Sequence, residues 1–205
     1  MTYDALATKA SIEKTLASLK ERGHFPKFVE SREKAMERIR ELIPDGVSVM
    51  NGSSRTLEEI GFVQYLKDGK HGWSNLHEAI LAEKDPAKQA ALRKQALLSD
   101  FYLGSAHAVA ETGEIVVASN SGSQLPHLVF TSQNLVLVVG AQKITPDLDT
   151  AIARLKEHVY PLEDVRMKEV GMGGSYISKT LVIHREQPFM GRKSHIIFVN
   201  EKLGF

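Results

Sequence analysis

The sequence predicts an α/β protein in which helices cover both faces of a sheet. Three observations point there. Helix-like amphipathic segments alternate with short apolar runs along all 205 residues. One run, LVLVVG at residues 135–140, is apolar without interruption, as in a strand buried on both faces. No internal repeat or low-complexity linker breaks the alternation, and the length suits one domain.

In the first 22 residues Leu6, Ile12, Leu16 and Leu19 recur at near-helical spacing among Lys and Glu, a helix that stops at Gly23. FPKFV reads as a short strand. Ser31 to Leu42 repeats the helical pattern with Ser31 as its cap, and Pro44 and Gly46 end it. VSVMNGSSRTLEEIG then combines a β-branched strand, a Gly-Ser-Ser turn and a helix start with Thr56 and Glu59 at capping-box spacing. Residues 67–78 read as loop, and DPAKQAALRKQALL as a helix with Pro86 in its first turn. DFYLG, EIVVA and LVLVVG read as three strands. A helix from Thr145 to Val159 is expected to close before Pro161, and TLVIH and HIIFV are two further strands.

Composition narrows the function. With 26 basic and 25 acidic residues the formal charge is +1, so no general attraction to nucleic acid or to an anionic membrane is expected. Cysteine is absent, which removes disulfides, thiolate catalysis and a cluster held on the chain's own thiolates. The segment MTYDALATKASIEK has no apolar signal core, and no window approaches the roughly 18 apolar residues of a spanning helix, so a cytoplasmic protein is expected.

Ligands of open α/β sheets gather beyond the carboxyl ends of the strands. Gly52-Ser53-Ser54 fits that position: the glycine admits close approach, the hydroxyls donate, and the helix that follows favours an anion. The plainer reading is that the serines only cap the helix. No Gly-Lys-Ser/Thr follows, so this is not a Walker loop. Glu111, with Thr112 and Gly113, stands at a reversal before EIVVA, either as a nucleophile, base or hydroxyl-binding group, or as a solvated turn glutamate. Asp100 either orients a ligand hydroxyl or caps the preceding segment. Ser121, Gly122 and Ser123 form a second Gly/Ser loop, and Gly173-Gly174-Ser175 a third; converging, the three would make an anion- or hydroxyl-rich pocket. His71 and His77 lack metal-ligand spacing, so no metal is expected. Arg192 reads as part of a solvated edge or as a phosphate contact, and Trp73 as core, lid or interface anchor.

The order VSVMNGSSRTLEEIGF, DFYLGSAHAVAETGEIVVASNSGSQLP, LVLVVGAQKITPDLDTAIARL and GRKSHIIFVNEKLGF resembles the LUD-domain family, named for lactate utilization. The resemblance runs from about Ile12 to Phe205. It is sharpest at Gly52-Ser53-Ser54-x-Thr56-Leu57 with Gly61, at Glu111-x-Gly113, and at Val139-Gly140-x-Gln142-Lys143-Ile144. It implies a Rossmann-like three-layer sandwich of the NagB, ribose-5-phosphate isomerase and CoA-transferase type. Residues 1–205 then form one LUD domain, with the helices of residues 1–44 packed on the α/β core.

For function the resemblance implies an accessory or ligand-binding subunit in lactate or organic-acid utilization. Its partners would be a small anionic metabolite and a separate iron–sulfur redox protein, and a homodimer is left open. The alternative is an enzyme of coenzyme A or sugar-phosphate chemistry with Glu111 as its catalytic carboxylate, since a Glu followed by Gly forms the acyl-enzyme of class I CoA-transferases. Ligand-binding positions on either reading are Gly52, Ser53, Ser54, Thr56, Asp100, Thr112, Gly113, Ser121, Gly122, Ser123 and Lys143. Any cofactor would be coenzyme A or a phosphorylated small molecule rather than a group carried on this chain.

Overall fold

The computed structural model describes residues 3–205; Met1 and Thr2, at the start of the expected N-terminal helical segment, lie outside the described residues. A parallel sheet forms the centre. Its six strands are β1 (Phe25–Val29), β2 (Ser48–Asn51), β3 (Ser74–Asn75), β4 (Phe101–Gly104), β7 (Asn134–Gly140) and β10 (Lys193–Val199), ordered β1-β10-β7-β4-β2-β3. All neighbouring pairs are parallel. β7 is buried over Leu135–Gly140, which is why its apolar run shows no alternation.

Helices α2 (Arg32–Leu42), α3 (Arg55–Glu59) and α4 (Phe62–Lys67) cover one face, where Ala35, Ile39, Leu57 and Phe62 pack on Val49, Leu103, Val136, Val138 and Ile197. α5 (Leu76–Ala82) packs against β2, and α6 (Pro86–Gln95) against α5. The other face carries Leu19 of α1 (Lys9–Glu21) and a second sheet of β5 (Ala108–Ala110), β6 (Ile115–Ser119), β8 (Ile144–Thr145) and β9 (Lys179–Ile183), ordered β8-β5-β6-β9. Outside it lie α7 (Leu148–Arg154) and α8 (Tyr160–Glu169), with Ala151, Leu155 and Val159 on Ala108 and Val116. The Rossmann-like α/β arrangement is therefore present. EIVVA and TLVIH, however, pair with each other in the second sheet. That sheet is enclosed between the central sheet and α7, so its strands are apolar on both faces and carry no sign of which sheet they join.

Local signals account for several boundaries. Thr8 and Ser31 cap α1 and α2 through backbone N–H groups of Ser11 and Lys34, and Asp85 caps α6 ahead of Pro86. Gly23 turns the chain at φ 83° after α1. Other expectations need correction. The residue 67–78 region holds β3 and the start of α5, capped by Asn75; a two-residue strand is too short to show a period. The cap of α3 is Ser54 rather than Thr56, which is buried and donates to Leu203 O. Pro161 does not end the helix, because a π-type turn over Leu155–Val159 joins α7 to α8 and removes the contact that a proline ring would otherwise make with the carbonyl four residues back.

Trp73 belongs to the core, donating from its indole to Ile43 O and packed beside Phe62, Tyr65 and His71. Arg192 is buried, not part of a solvated edge. It pairs with Glu186 and donates to the carbonyls of Ser132, His127 and Leu128, so its hydrogen-bonding capacity is spent on tying the β9–β10 connection to the core.

Candidate functional site

Beyond the carboxyl ends of β2, β4 and β7 opens a cavity of about 510 Å³, within the range that holds a small metabolite. Each strand delivers a loop to it. β2 supplies Asn51-Gly52-Ser53-Ser54, β4 supplies Ser105, Ala106 and His107, and the turn after β7 supplies Lys143. From the second sheet β6 leads into Ser119, Asn120, Ser121, Ser123 and Gln124, and α8 adds Tyr160, Glu163 and Arg166. Ser175 brings in the third Gly/Ser loop, so all three loops converge. A smaller hollow of about 340 Å³ lies beside the first residues of β1 and β10, among Lys20, His24, Phe25 and His195.

Close backbone approach shapes the cavity floor. A Cβ on Gly52 would sit 2.5 Å from the hydroxyl of Tyr102, whose ring stacks on His127 with centroids 4.3 Å apart. Gly140 lets residues 201–203 cross β7, because a Cβ there would meet Glu201 O and Leu203 N at 2.8 Å. Gln142 then donates to Leu203 O at 3.0 Å and to Gly204 O at 3.3 Å. In the Gly140-x-Gln142-Lys143 stretch two residues fix the crossing segment and the third faces the cavity.

Lys143 is 3% exposed. Its ammonium donates to Thr56 Oγ1 at 3.0 Å and Ser105 Oγ at 3.3 Å, and among the described residues no carboxylate pairs with it. Desolvation pushes it down to about 7, with repulsion from Arg154 adding to the fall and Glu59 opposing it. His107 is pressed down to about 3, first by desolvation and then by Lys143 and Arg154; its Nδ1 accepts from Ala118 N at 3.0 Å. Burial alone holds His127 near 4. Arg166 forms a two-pronged pair with Glu163 at 2.8 and 2.9 Å and reaches Ser53 Oγ at 3.5 Å. Lys143, Arg166, Arg55 and Arg93 line the cavity, with Glu163 as its one carboxylate side chain among the described residues. Arg166 pairs with Glu163, and Arg55 with Glu58 and Glu59. Among the described residues Lys143 and Arg93 are therefore the lining cations without a carboxylate partner, and they favour an anion.

Of the residues expected at a site, Gly52, Ser53, Ser54, Thr56, Ser121, Ser123 and Lys143 surround this cavity. Ser54 is occupied as the cap of α3, accepting from Leu57 N, and that helix has only five residues. Gly122 faces the side chain of Lys179 instead. Asp100 is at the opposite, amino end of the strands, where it accepts from Ser48 N and Oγ. Glu111, Thr112 and Gly113 form the β5–β6 turn and do not line the cavity. Glu111 accepts from Ser11 Oγ at 2.6 Å and Lys14 Nζ at 3.0 Å, Thr112 donates to Glu114, and Gly113 makes the reversal at φ 97° against Arg22. The Glu-Thr-Gly segment is a structural turn pinned to α1. The sequence gives no sign of Ser105, His107 or Arg166 at a site; a charge on an amphipathic helix such as α8 reads as solvated surface. Among the described residues no three His, Asp or Glu side chains gather to hold a metal ion, and no helix is long and apolar enough to cross a membrane.

The sequence model of the LUD domain matches residues 12–199. The chain belongs to the LUD-domain family. Its fold is similar to the crystal structure of a DUF162 family protein from Deinococcus radiodurans, with a TM-score of 0.55 and 11% identity over 94% of this chain and 98% of that one. At that identity the likeness concerns the fold of the LUD domain. No curated protein matches the sequence.

Proposed function

We propose that this LUD domain binds a small organic anion in the cavity beyond β2, β4 and β7, and serves lactate or related organic-acid utilization as a ligand-binding subunit. The observation that carries this reading is Lys143, a buried ammonium with hydroxyl partners only, in a cavity whose cations outnumber its carboxylates. A bound carboxylate would supply the missing counter-charge, and Ser53, Ser105, Ser121 and Ser123 offer donors around it. Oxidation of such a ligand would fall to a separate iron–sulfur protein, since this sequence has no cysteine to ligate a cluster. Coenzyme A or a phosphorylated metabolite is the second ligand class that the same cations and hydroxyls suit. Acyl transfer through Glu111 has no support in an arrangement that ties that carboxylate to α1.

Thermal unfolding with L-lactate, pyruvate, coenzyme A and ribose 5-phosphate tests the reading, because a ligand at about 100 times its dissociation constant adds about 2.7 kcal/mol. A rise with the organic acids that disappears in Arg166→Ala supports it. No rise with any of them removes it. Copurification with an iron–sulfur protein from cells grown on lactate tests the partner.

A further inference from the structure

We propose that Lys143 is a covalent anchor, its amine condensing with the carbonyl of a 2-oxo acid to form an imine at the floor of the cavity. The inference rests on the reading of the cavity as an organic-anion site and names the ligand class more closely.

The geometry supplies what condensation requires. The amine is buried yet lines the cavity, so a ligand that enters meets it away from bulk water. Its neighbours Thr56 and Ser105 are neutral hydroxyls, which can accept and return a proton without locking the nitrogen in an ion pair, as a carboxylate would. Arg166, anchored by Glu163 on α8, lines the same cavity and provides a partner for the acid's carboxylate. Desolvation holds Lys143 near 7, so a large fraction is the free amine at neutral pH.

The step balances without an outside reagent. The neutral amine attacks the carbonyl carbon, forming the C–N bond while the oxygen takes up a proton. The carbinolamine then loses that oxygen as water, with the hydroxyls of Ser105 and Thr56 moving the protons. Overall a lysine ammonium and a 2-oxo acid give a protonated imine and one water, with no change of oxidation state.

The test is reductive trapping of the full chain. The protein is treated with pyruvate and sodium borohydride and measured by intact mass and peptide mapping, alongside Lys143→Arg, which keeps a cation but cannot condense, and a lactate control, which has no carbonyl. The expected result is one reduced adduct on Lys143 with pyruvate, none with lactate, and loss of that adduct in the variant, whose melting transition remains cooperative. Absence of the adduct, or equal labelling of wild type and Lys143→Arg, overturns the proposal. If both acids raise the melting temperature while neither is trapped, the covalent anchor falls and the binding function stands; if neither acid does either, both fall.

Discussion

The carboxylate of Glu111 accepts a 2.6 Å hydrogen bond from the hydroxyl of Ser11, one hundred residues earlier, and its second oxygen pairs with Lys14 at 3.0 Å. The β5–β6 turn is thereby held to the first turns of α1. The hydrogen bond from Ser11, and then Lys14, keep the Glu111 carboxyl below the usual glutamate value. A lowered carboxylate stabilises the fold above its unfolded value and loses that contribution as pH falls through the folded one. Glu111→Gln is therefore expected to cost about 0.5–1 kcal/mol at neutral pH, with a shallower loss of stability below the ordinary carboxylate range. Ligand-induced melting shifts should match wild type. An unchanged stability with abolished ligand response would return Glu111 to the site.

Lys143 predicts the opposite pattern. The unfolded lysine titrates near its ordinary 10.5 and the folded one near 7, so between these values the unfolded chain binds more protons and stability rises with pH. Lys143→Met removes a buried amine while Thr56 and Ser105 keep their bonds to the carbonyls of Leu203 and Ala106. The variant is expected to be at least as stable as wild type at pH 7, to lose the rise toward pH 10, and to bind no organic acid. Urea unfolding at pH 7 and pH 10 checks this; a variant less stable than wild type at pH 7 would mean that the amine holds the floor together.

The acid side is governed by histidines. His24 is lowered to about 4 by desolvation, with Arg192 and Arg22 adding, and burial brings His127 to about 4 as well. Both are neutral in the folded chain where the unfolded chain has begun to charge them, so stability falls as pH drops from about 6.5 to 4. His24→Asn retains a side chain able to meet Ser194, the partner of His24 Nδ1 at 2.9 Å, and is expected to flatten that fall in urea midpoints taken across the range. Midpoints that decline as steeply as wild type would contradict the assignment.

The α/β class was legible because helix periods, caps and one doubly buried strand are local signals. Ser31, Pro86 and Gly23 act where the sequence places them. The second sheet was not legible, since EIVVA is apolar on both sides in either sheet and only its antiparallel pairing with TLVIH separates it. For the site, small and polar loops at strand ends marked Gly52-Ser53, Ser121 and Ser123 correctly as neighbours of one cavity. Glu111 stands at the reversal that the sequence indicates, but a reversal carries no sign of which way it faces. β5, only three residues long, sends that turn back to α1. Arg166 was hidden by distance, 113 residues from the Ser53 that it meets.

Gly204 links the crossing segment to the cavity floor. Its φ is +61°, and a Cβ would lie 2.6 Å from Thr56 Oγ1 and 3.2 Å from Lys143 Nζ. Gly204→Ala therefore suffers two effects, a left-handed backbone that costs about 1 kcal/mol without glycine and a collision with the hydroxyl–ammonium pair. Gly171→Ala is the control, because its φ is +78° and nothing lies within 4 Å of the added carbon. Both variants are expected to lose about 1 kcal/mol from backbone strain, with a further loss for Gly204→Ala. Only Gly204→Ala should weaken organic-acid binding, since only there must Thr56 and Lys143 move. Calorimetric titration of the two variants with pyruvate decides the matter; equal affinities would show that the position of Lys143 does not depend on the segment that crosses β7.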